Sequence, residues 1–210
     1  MSVQKTAEVP ECQEGGGVLA SIYKSTTGIM KALLFFIAIL PDEKIQREVT
    51  QFKEYAALHF RSSRSLRSPA HITLIPPFQW QAERVGELAP ALSPFAEEER
   101  SFRLKLNHFS SFAPRVIFVD VERKSELQEL QSRLEAYMTA KLGLNLKSHH
   151  SFNPHMTVAF KDLHRKVFPE AWAYFSGLSY EREFLADALT LLRHNGKRWE
   201  VFRKFVFGGQ

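Results

Sequence analysis

Two histidines, each followed two positions later by a threonine, are the side chains of this protein best suited to acid–base chemistry. His71 and Thr73 belong to the segment His-Ile-Thr-Leu, and His155 and Thr157 belong to His-Met-Thr-Val, 84 positions further along. Residues two apart in a β-strand point to the same face, so each segment would present one imidazole and one hydroxyl together. The alternating apolar residues would enter a core.

If both segments face one cleft, the pair meets the needs of a phosphodiester reaction. A neutral imidazole takes a proton from the attacking oxygen, while a protonated imidazole gives one to the leaving oxygen. Histidine suits both roles because its unperturbed pKa is about 6.5. Thr73 and Thr157 would donate hydrogen bonds to phosphate oxygens, where charge grows in the transition state. The residues do not indicate whether His71 or His155 is the acid.

The chain before His71 predicts the elements that position the first motif. The apolar run 33–40 has the length of a buried strand. Asp42 then caps a helix, and the helix has apolar residues in the rhythm i, i+4, i+7, namely Ile45, Val49, Phe52 and Ala56. A polar loop at 61–69 leads to His71.

The chain before His155 repeats this plan. The β-branched run 116–121 predicts a strand, and Ser125 with Gln128 has the pattern of a capping box that starts the next helix. The predicted buried stripe of that helix is Leu127, Leu130, Leu134 and Tyr137. A polar loop at 147–154 precedes the second motif. The spacing from Leu33 to His71 equals the spacing from Ile117 to His155, at 38 residues.

Each motif is followed by a further helix and strand. The helix candidates are 82–98 and 165–175, and the strand candidates are 102–109 and 183–192. Asn195-Gly196 then predicts a hairpin with a type I′ turn and a returning strand at 199–207. A repeated strand–helix–strand–helix–strand order predicts an α+β protein with two lobes related by a pseudo-two-fold axis.

Composition is typical of a globular protein, with 44% hydrophobic and 24% charged residues among 210. Residues 1–29 have no sustained apolar period and are interpreted as a flexible leader or extension, leaving 30–210 as one domain with intertwined halves at 30–110 and 111–210. The lone Cys12 excludes a disulfide framework and a cysteine-rich zinc site. We expect no metal and no cofactor.

Charge and hydropathy limit the partners. The net charge is +5, and the leader contributes −1, from two lysines against three glutamates, so the remainder carries +6. This balance is compatible with anionic substrates but is too weak to indicate nucleic acid by itself. The longest apolar run is far shorter than the roughly 20 residues that span a bilayer. We therefore expect a cytoplasmic monomer without a membrane partner.

The paired motifs resemble those of the two-histidine phosphoesterase superfamily, and within it the branch of 2′-5′ RNA ligases and cyclic phosphodiesterases. The similarity extends to Ile-Pro-Pro-Phe at 75–78, to Pro154, and to Ala-Phe at 159–160. Through the repeat it covers roughly residues 31–207. The resemblance implies a bilobal fold of antiparallel sheets flanked by helices, with a central cleft.

The resemblance also implies an activity and its residues. It implies metal-independent hydrolysis or transfer at a 2′,3′-cyclic phosphate or a 2′-5′ linkage of RNA or nucleotides. His71 and His155 would be catalytic, and Thr73 and Thr157 would bind the substrate phosphate. It leaves open the substrate and the choice between hydrolysis and ligation.

Several interpretations stay open. A non-catalytic module that binds RNA or nucleotides in the same cleft is the alternative function. The basic loop residues either flank an anionic substrate or stay in solvent; they are Arg61, Arg64, Arg67, Lys147, His149 and His150. Lys161 has the same two options. Phe78 and Phe160 either stack on a nucleobase or pack in the core. His149, His150 and His155 lack a nearby carboxylate, so their spacing makes a poor zinc site.

Overall fold

The computed structural model of this chain describes residues 22–25, 28–144, 146 and 151–209. The first half contains β1 (Ile22–Ser25), β2 (Gly28–Ile39), α1 (Glu43–Phe60), β3 (Ile72–Gln81), α2 (Leu88–Glu98) and β4 (Phe102–Phe112). Short 3₁₀ helices at Arg64–Arg67 and Ala82–Glu87 precede β3 and α2. The second half contains β5 (Val116–Val121), α3 (Ser125–Leu142), β6 (His155–Ala159), α4 (Phe168–Ser176), β7 (Glu181–Ala186), β8 (Ala188–His194) and β9 (Trp199–Val206).

The strands form two antiparallel sheets with equivalent orders. In the first sheet the strands run β3-β2-β8-β9, with β1 paired to the start of β2; in the second they run β6-β5-β4-β7. Each motif-bearing strand therefore lies beside the strand that opens its half. The halves also exchange strands, because β8 lies in the first sheet and β4 in the second. The predicted α+β fold, with two pseudo-symmetric lobes of antiparallel sheet and helix, is confirmed.

Helix α1 forms as its sequence predicts. The Asp42 carboxylate accepts a hydrogen bond from the Ile45 amide at 3.0 Å, which satisfies one of the free donors of the first turn. Ile45, Val49 and Ala56 are buried against the sheets. The same face also buries Lys53, which the apolar pattern did not indicate.

The predicted capping box at the start of α3 is wrong. Lys124 is the N-cap residue, with extended backbone angles, and no side chain caps the helix. Ser125 is already the first helical residue, and its hydroxyl bonds to Glu126. The Lys124 ammonium bonds to the Arg103 carbonyl oxygen on β4 at 2.9 Å, and this contact between distant segments accompanies the earlier helix start.

The predicted buried positions of α3 are correct for the three leucines and wrong for the last position. Leu127, Leu130 and Leu134 are buried, but Met138 takes the last core position. Tyr137 is only partly buried and packs on the Phe95 ring at 5.1 Å.

The single strand predicted at 183–192 is two strands in different sheets. The chain leaves the second sheet at Ala186 and enters the first at Ala188. Burial alternates along β7, whereas the first five residues of β8 are all buried because β8 lies between β2 and β9. Asp187 interrupts the apolar residues at this point, but one polar residue does not by itself indicate a change of sheet.

The predicted hairpin between β8 and β9 is confirmed, but its turn is not type I′. That turn requires positive φ at both central residues, and only Gly196, at φ 97°, has it. The Asn195 side chain instead accepts hydrogen bonds from the amides of Lys197 and Arg198, each at 2.9 Å. An asparagine that bonds its own backbone in this way makes a turn by a different route.

Strand β1 lies within the residues interpreted as a leader, and it pairs with β2 between Gly28 and Lys31. The division of the chain at residue 30 stays a prediction. In the described part of the chain, no helix combines the length and the apolar character that a bilayer crossing needs.

Candidate active site

Both H-x-T motifs line one cleft between the two sheets. The cleft has a volume of about 540 Å³, and His71, Thr73, His155 and Thr157 all contribute to its wall. The alternation of the two strands explains this placement. Ile72 and Leu74 on one strand, and Met156 and Val158 on the other, are fully buried, while the histidines and threonines keep exposed surface.

The two histidines are held in the same way. The Nδ1 atom of His71 lies 2.8 Å from the Pro69 carbonyl oxygen, and that of His155 lies 2.7 Å from the Asn153 carbonyl oxygen. Because a carbonyl oxygen only accepts hydrogen bonds, each Nδ1 carries the hydrogen. In the neutral ring Nε2 is then the basic nitrogen that can exchange a proton with a ligand.

Matched aromatic rings support the two imidazoles. Phe36 on β2 lies 4.8 Å from the His71 ring centroid, and Phe118 on β5 lies 4.9 Å from that of His155. A second ring backs each of these phenylalanines: Trp199 lies 4.6 Å from Phe36, and Phe112 lies 4.5 Å from Phe118. Sequence reasoning missed these rings, although Phe36 and Phe118 both lie in the strands that open the two halves.

The two histidines differ in their electrostatic surroundings. Burial lowers the pKa of His71 to about 4, the Pro69 carbonyl opposes this, and the positive charge of Lys53 lowers it further. Burial also lowers the pKa of His155, but there the Asn153 carbonyl and the negative charge of Asp120 both raise it. Asp120 is the partner of His155 in the register of β5 and β6. The carboxylate therefore favours a proton on His155, and the lysine disfavours one on His71.

Lys53 is itself an unusual feature of the site. Its side chain is 2% exposed, and its ammonium donates to the Ser68 carbonyl oxygen at 3.0 Å, just before the first motif. Burial lowers the pKa of Lys53 to about 8. A buried cation thus connects α1 to the loop that carries His71.

The cleft is basic. Among its described lining residues are Arg64, Arg67 and Lys161, and these lining residues include no aspartate or glutamate. Arg61 does not line the cleft, and Lys147, His149 and His150 lie outside the described residues. A wall with cations and without carboxylates suits an anionic ligand.

The two phenylalanines considered for base stacking have different positions. Phe160 lines the cleft, with the Lys161 ammonium 5.5 Å from its ring centroid. Phe78 is buried in the core, where its ring lies 6.2 Å from that of Phe35. Over the residues that the structure describes, no three histidine, cysteine or acidic side chains are grouped closely enough to hold a metal ion.

Two equivalent lobes that each direct an H-x-T strand into one cleft define a two-histidine phosphoesterase fold. The family model of the 2′-5′ RNA ligase superfamily matches residues 41–198. The chain therefore belongs to the 2′-5′ RNA ligase superfamily.

Curated relatives match most of the chain, and solved structures share its fold. A Geobacillus sp. (strain WCH70) protein named as a candidate phosphoesterase is 29% identical over 178 residues, covering 83% of this chain and 96% of the relative. A similarly named Oceanobacillus iheyensis protein is 28% identical over 175 residues, covering 82% and 96%. Among solved structures, E. coli LigT without ligand has a TM-score of 0.60 at 15% identity, covering 86% of this chain and 99% of LigT. TT0787 of Thermus thermophilus has a TM-score of 0.58 at 19% identity, covering 84% and 99%.

Proposed function

We propose that this protein is a metal-independent phosphodiesterase acting on 2′,3′-cyclic phosphates or 2′-5′ linkages of RNA or nucleotides. Membership of a phosphoesterase superfamily supports the general activity. The observation that carries the proposal is the matched pair of histidines in one basic cleft, each with its Nδ1 bonded to a backbone carbonyl. Solved structures of E. coli LigT contain 3′-AMP in one case and ATP in another, which supports a nucleotide ligand for the shared fold.

His71 acts as the base and His155 as the acid in the proposed opening of a cyclic phosphate. His71 takes a proton from water through Nε2 as the water oxygen bonds to phosphorus. The bond from phosphorus to one ribose oxygen breaks, and His155 gives that oxygen a proton, which leaves a phosphomonoester. The low pKa of His71 and the carboxylate beside His155 support this order. A 2′-5′ bond would be joined with the same roles if the 5′-hydroxyl of a second strand took the place of water: His71 takes its proton as the oxygen bonds to phosphorus, and His155 gives a proton to the leaving 3′ oxygen.

Thr73 and Thr157 bind the non-bridging phosphate oxygens in this proposal. Each shares its strand face with its histidine, and both line the cleft. A hydroxyl that donates to an oxygen on which charge accumulates stabilises the transition state more than the ground state.

Turnover of a 2′,3′-cyclic mononucleotide, followed by chromatography, tests the proposal. We expect a phosphomonoester product, formed at the same rate with and without EDTA. Substituting either histidine, His71→Ala or His155→Ala, should lower kcat by about 10²–10⁴-fold, as expected for loss of a general acid or base. The exposed His164, outside the cleft, provides the matched control His164→Ala. Full activity in both cleft variants would refute the mechanism, and saturable binding without turnover would favour the non-catalytic module.

A further inference from the structure

The cleft continues beyond the two histidines along the 3₁₀ helix Arg64–Arg67. Arg64, Ser65 and Arg67 line this part of the wall, together with His194 at the end of β8. Burial lowers the pKa of His194, and the positive charge of Arg67 adds to this effect. Both arginines are solvent-exposed and accessible to a ligand.

Some arginines of the described chain are paired with a glutamate, whereas others, including these two and Arg61, are not. Arg84, Arg103 and Arg182 each form an ion pair with a glutamate at 2.7–2.9 Å. Within the described part of the chain, Arg64 and Arg67 have no such carboxylate partner. Two cations that face a cleft without a partner favour an anionic ligand there.

Ser65, directly after Arg64, provides a second, independent observation. Ser65 is 1% exposed, and its hydroxyl has no hydrogen-bond partner among the described residues. Buried hydroxyls almost always have a partner, so an unpaired one beside a cleft calls for an explanation such as a ligand or water oxygen.

Asp162 fixes the position of this 3₁₀ helix from the other lobe. Its carboxylate accepts hydrogen bonds from the amides of Ser63 and Arg64, both at 2.9 Å, and from the Ser62 hydroxyl at 3.0 Å. Asp162 follows β6, so the end of the second motif strand holds the loop before the first motif. The preceding Lys161 has a positive φ of 56°, an uncommon conformation for a lysine that accompanies this contact.

We propose that Arg64 and Arg67, beside Ser65 and positioned by Asp162, form a second phosphate subsite, distinct from the one at the histidines. This inference rests on the proposed function, which places the scissile phosphate between the two histidines. The subsite binds a phosphate that is separate from the scissile group, either a terminal monoester or a neighbouring diester of the same strand. The protein therefore favours substrates with two phosphates over cyclic mononucleotides.

Calorimetric binding tests the subsite without requiring turnover. We expect adenosine 3′,5′-bisphosphate to bind the unmodified protein about tenfold more tightly than 3′-AMP, as one charge-assisted contact would give. The double variant Arg64→Gln/Arg67→Gln should remove this difference, because it weakens the binding of adenosine 3′,5′-bisphosphate about tenfold more than that of 3′-AMP. Arg61 is a basic residue of the same loop that does not line the cleft. Arg61→Gln is therefore the matched control and should keep the tenfold difference in affinity.

Three results would overturn the subsite: equal affinity for the two ligands in the unmodified protein, equal weakening of both in the double variant, or the same effect from Arg61→Gln.

Turnover measurements test the subsite and the proposed function separately. They also test whether the subsite binds a phosphodiester. Adenosine 2′,3′-cyclic phosphate is compared with the dinucleotide ApA that ends in a 2′,3′-cyclic phosphate. We expect a lower KM for the dinucleotide than for the mononucleotide, and the double variant should raise the KM of the dinucleotide about tenfold more than that of the mononucleotide. Turnover of neither compound, with the bisphosphate preference intact, would refute the proposed function and leave the subsite standing. Equal KM values for the two compounds, with no bisphosphate preference, would refute the subsite alone.

Discussion

At the scale of single residues, the two histidines have the same backbone contact but opposite charged neighbours. Lys53 lowers the pKa of His71, and Asp120 raises that of His155. Both pKa values still lie below 6.5, because burial is the largest influence on each. The proposed mechanism needs neutral His71 and protonated His155, and these two pKa shifts favour that combination on the acid side of neutrality.

The pH profile of kcat/KM tests this assignment. We expect a bell-shaped profile of kcat/KM. Its acid limb should lie near pH 4, where His71 becomes protonated, and its alkaline limb below pH 6.5, where His155 loses its proton. Asp120→Asn removes the charge that raises the pKa of His155, so the alkaline limb should move to lower pH. The acid limb should stay in place.

Glu122→Gln provides the control for this experiment, because Glu122 is an exposed acid directly after β5. It should leave both limbs unchanged. Movement of the acid limb, rather than the alkaline limb, in Asp120→Asn would mean that His155 is the base.

At the scale of elements, the site depends on contacts that join a helix or strand to a distant loop. Asp162→Ala removes the acceptor that holds the Ser62–Arg64 segment. We expect a free energy of unfolding lower by about 1–2 kcal/mol, because the buried Ser62 hydroxyl and two exposed amides lose a charged partner. KM for the dinucleotide should rise with an unchanged pH profile, as expected of a positioning residue.

Asp162→Asn keeps one acceptor oxygen and should recover part of the loss. Glu170→Ala, an exposed acid near the start of α4, is the control. A shifted pH profile in Asp162→Ala would contradict a purely positioning role.

Lys53, which connects α1 to the loop before the first motif, should make the free energy of unfolding depend on pH. The pKa of Lys53 is lowered to about 8 from its ordinary value of 10.5, so between these values the folded protein binds fewer protons than the unfolded chain. The free energy of unfolding should therefore increase with pH across this window, by up to about 3 kcal/mol from this group. Urea denaturation of the unmodified protein and of Lys53→Met measures the difference.

Lys53→Met should lack the gain between pH 8 and 10.5. Lys44→Met replaces an exposed lysine of the same helix and should retain it. The same pH dependence in unmodified protein and Lys53→Met would show that Lys53 is not a buried cation.

The sequence predicts those elements that depend on local pattern and misses those that depend on distant contacts. Asp42, the α1 stripe and the two H-x-T strands follow from spacing within a few residues. The change of sheet at Asp187 does not, since it depends on which distant strand each segment pairs with. The start of α3, where Lys124 contacts β4, also does not follow from the local pattern. For the same reason the two motifs were predictable, whereas Asp120, Asp162 and the Phe36 and Phe118 rings were not.

At the scale of the whole molecule, the segment after β9 joins the last strand to the first half of the chain. The Gly208 amide donates to the Ala96 carbonyl oxygen at 3.1 Å, and the Gly209 amide donates to that of Glu99 at 3.0 Å. A Cβ atom at Gly208 would overlap the Glu97 carbonyl, so only glycine fits this close approach.

Gly208→Ala should therefore lower the free energy of unfolding by about 1–3 kcal/mol, the usual range for overpacking a close contact. Gly86→Ala is the matched control, because a Cβ atom there would meet no heavy atom within 4 Å. Thermal denaturation of both variants measures the effect. Equal melting temperatures would show that the end of the chain is not docked on α2.

The exchange of β4 and β8 between the sheets determines when an active protein can first exist during translation. β8 lies next to β2 in the first sheet, and Trp199, which backs Phe36 behind His71, begins β9. The ribosome completes both H-x-T motifs before it makes β8 or β9. A nascent chain that stops before β8 would therefore contain every residue assigned to proton transfer and still lack one wall of the cleft.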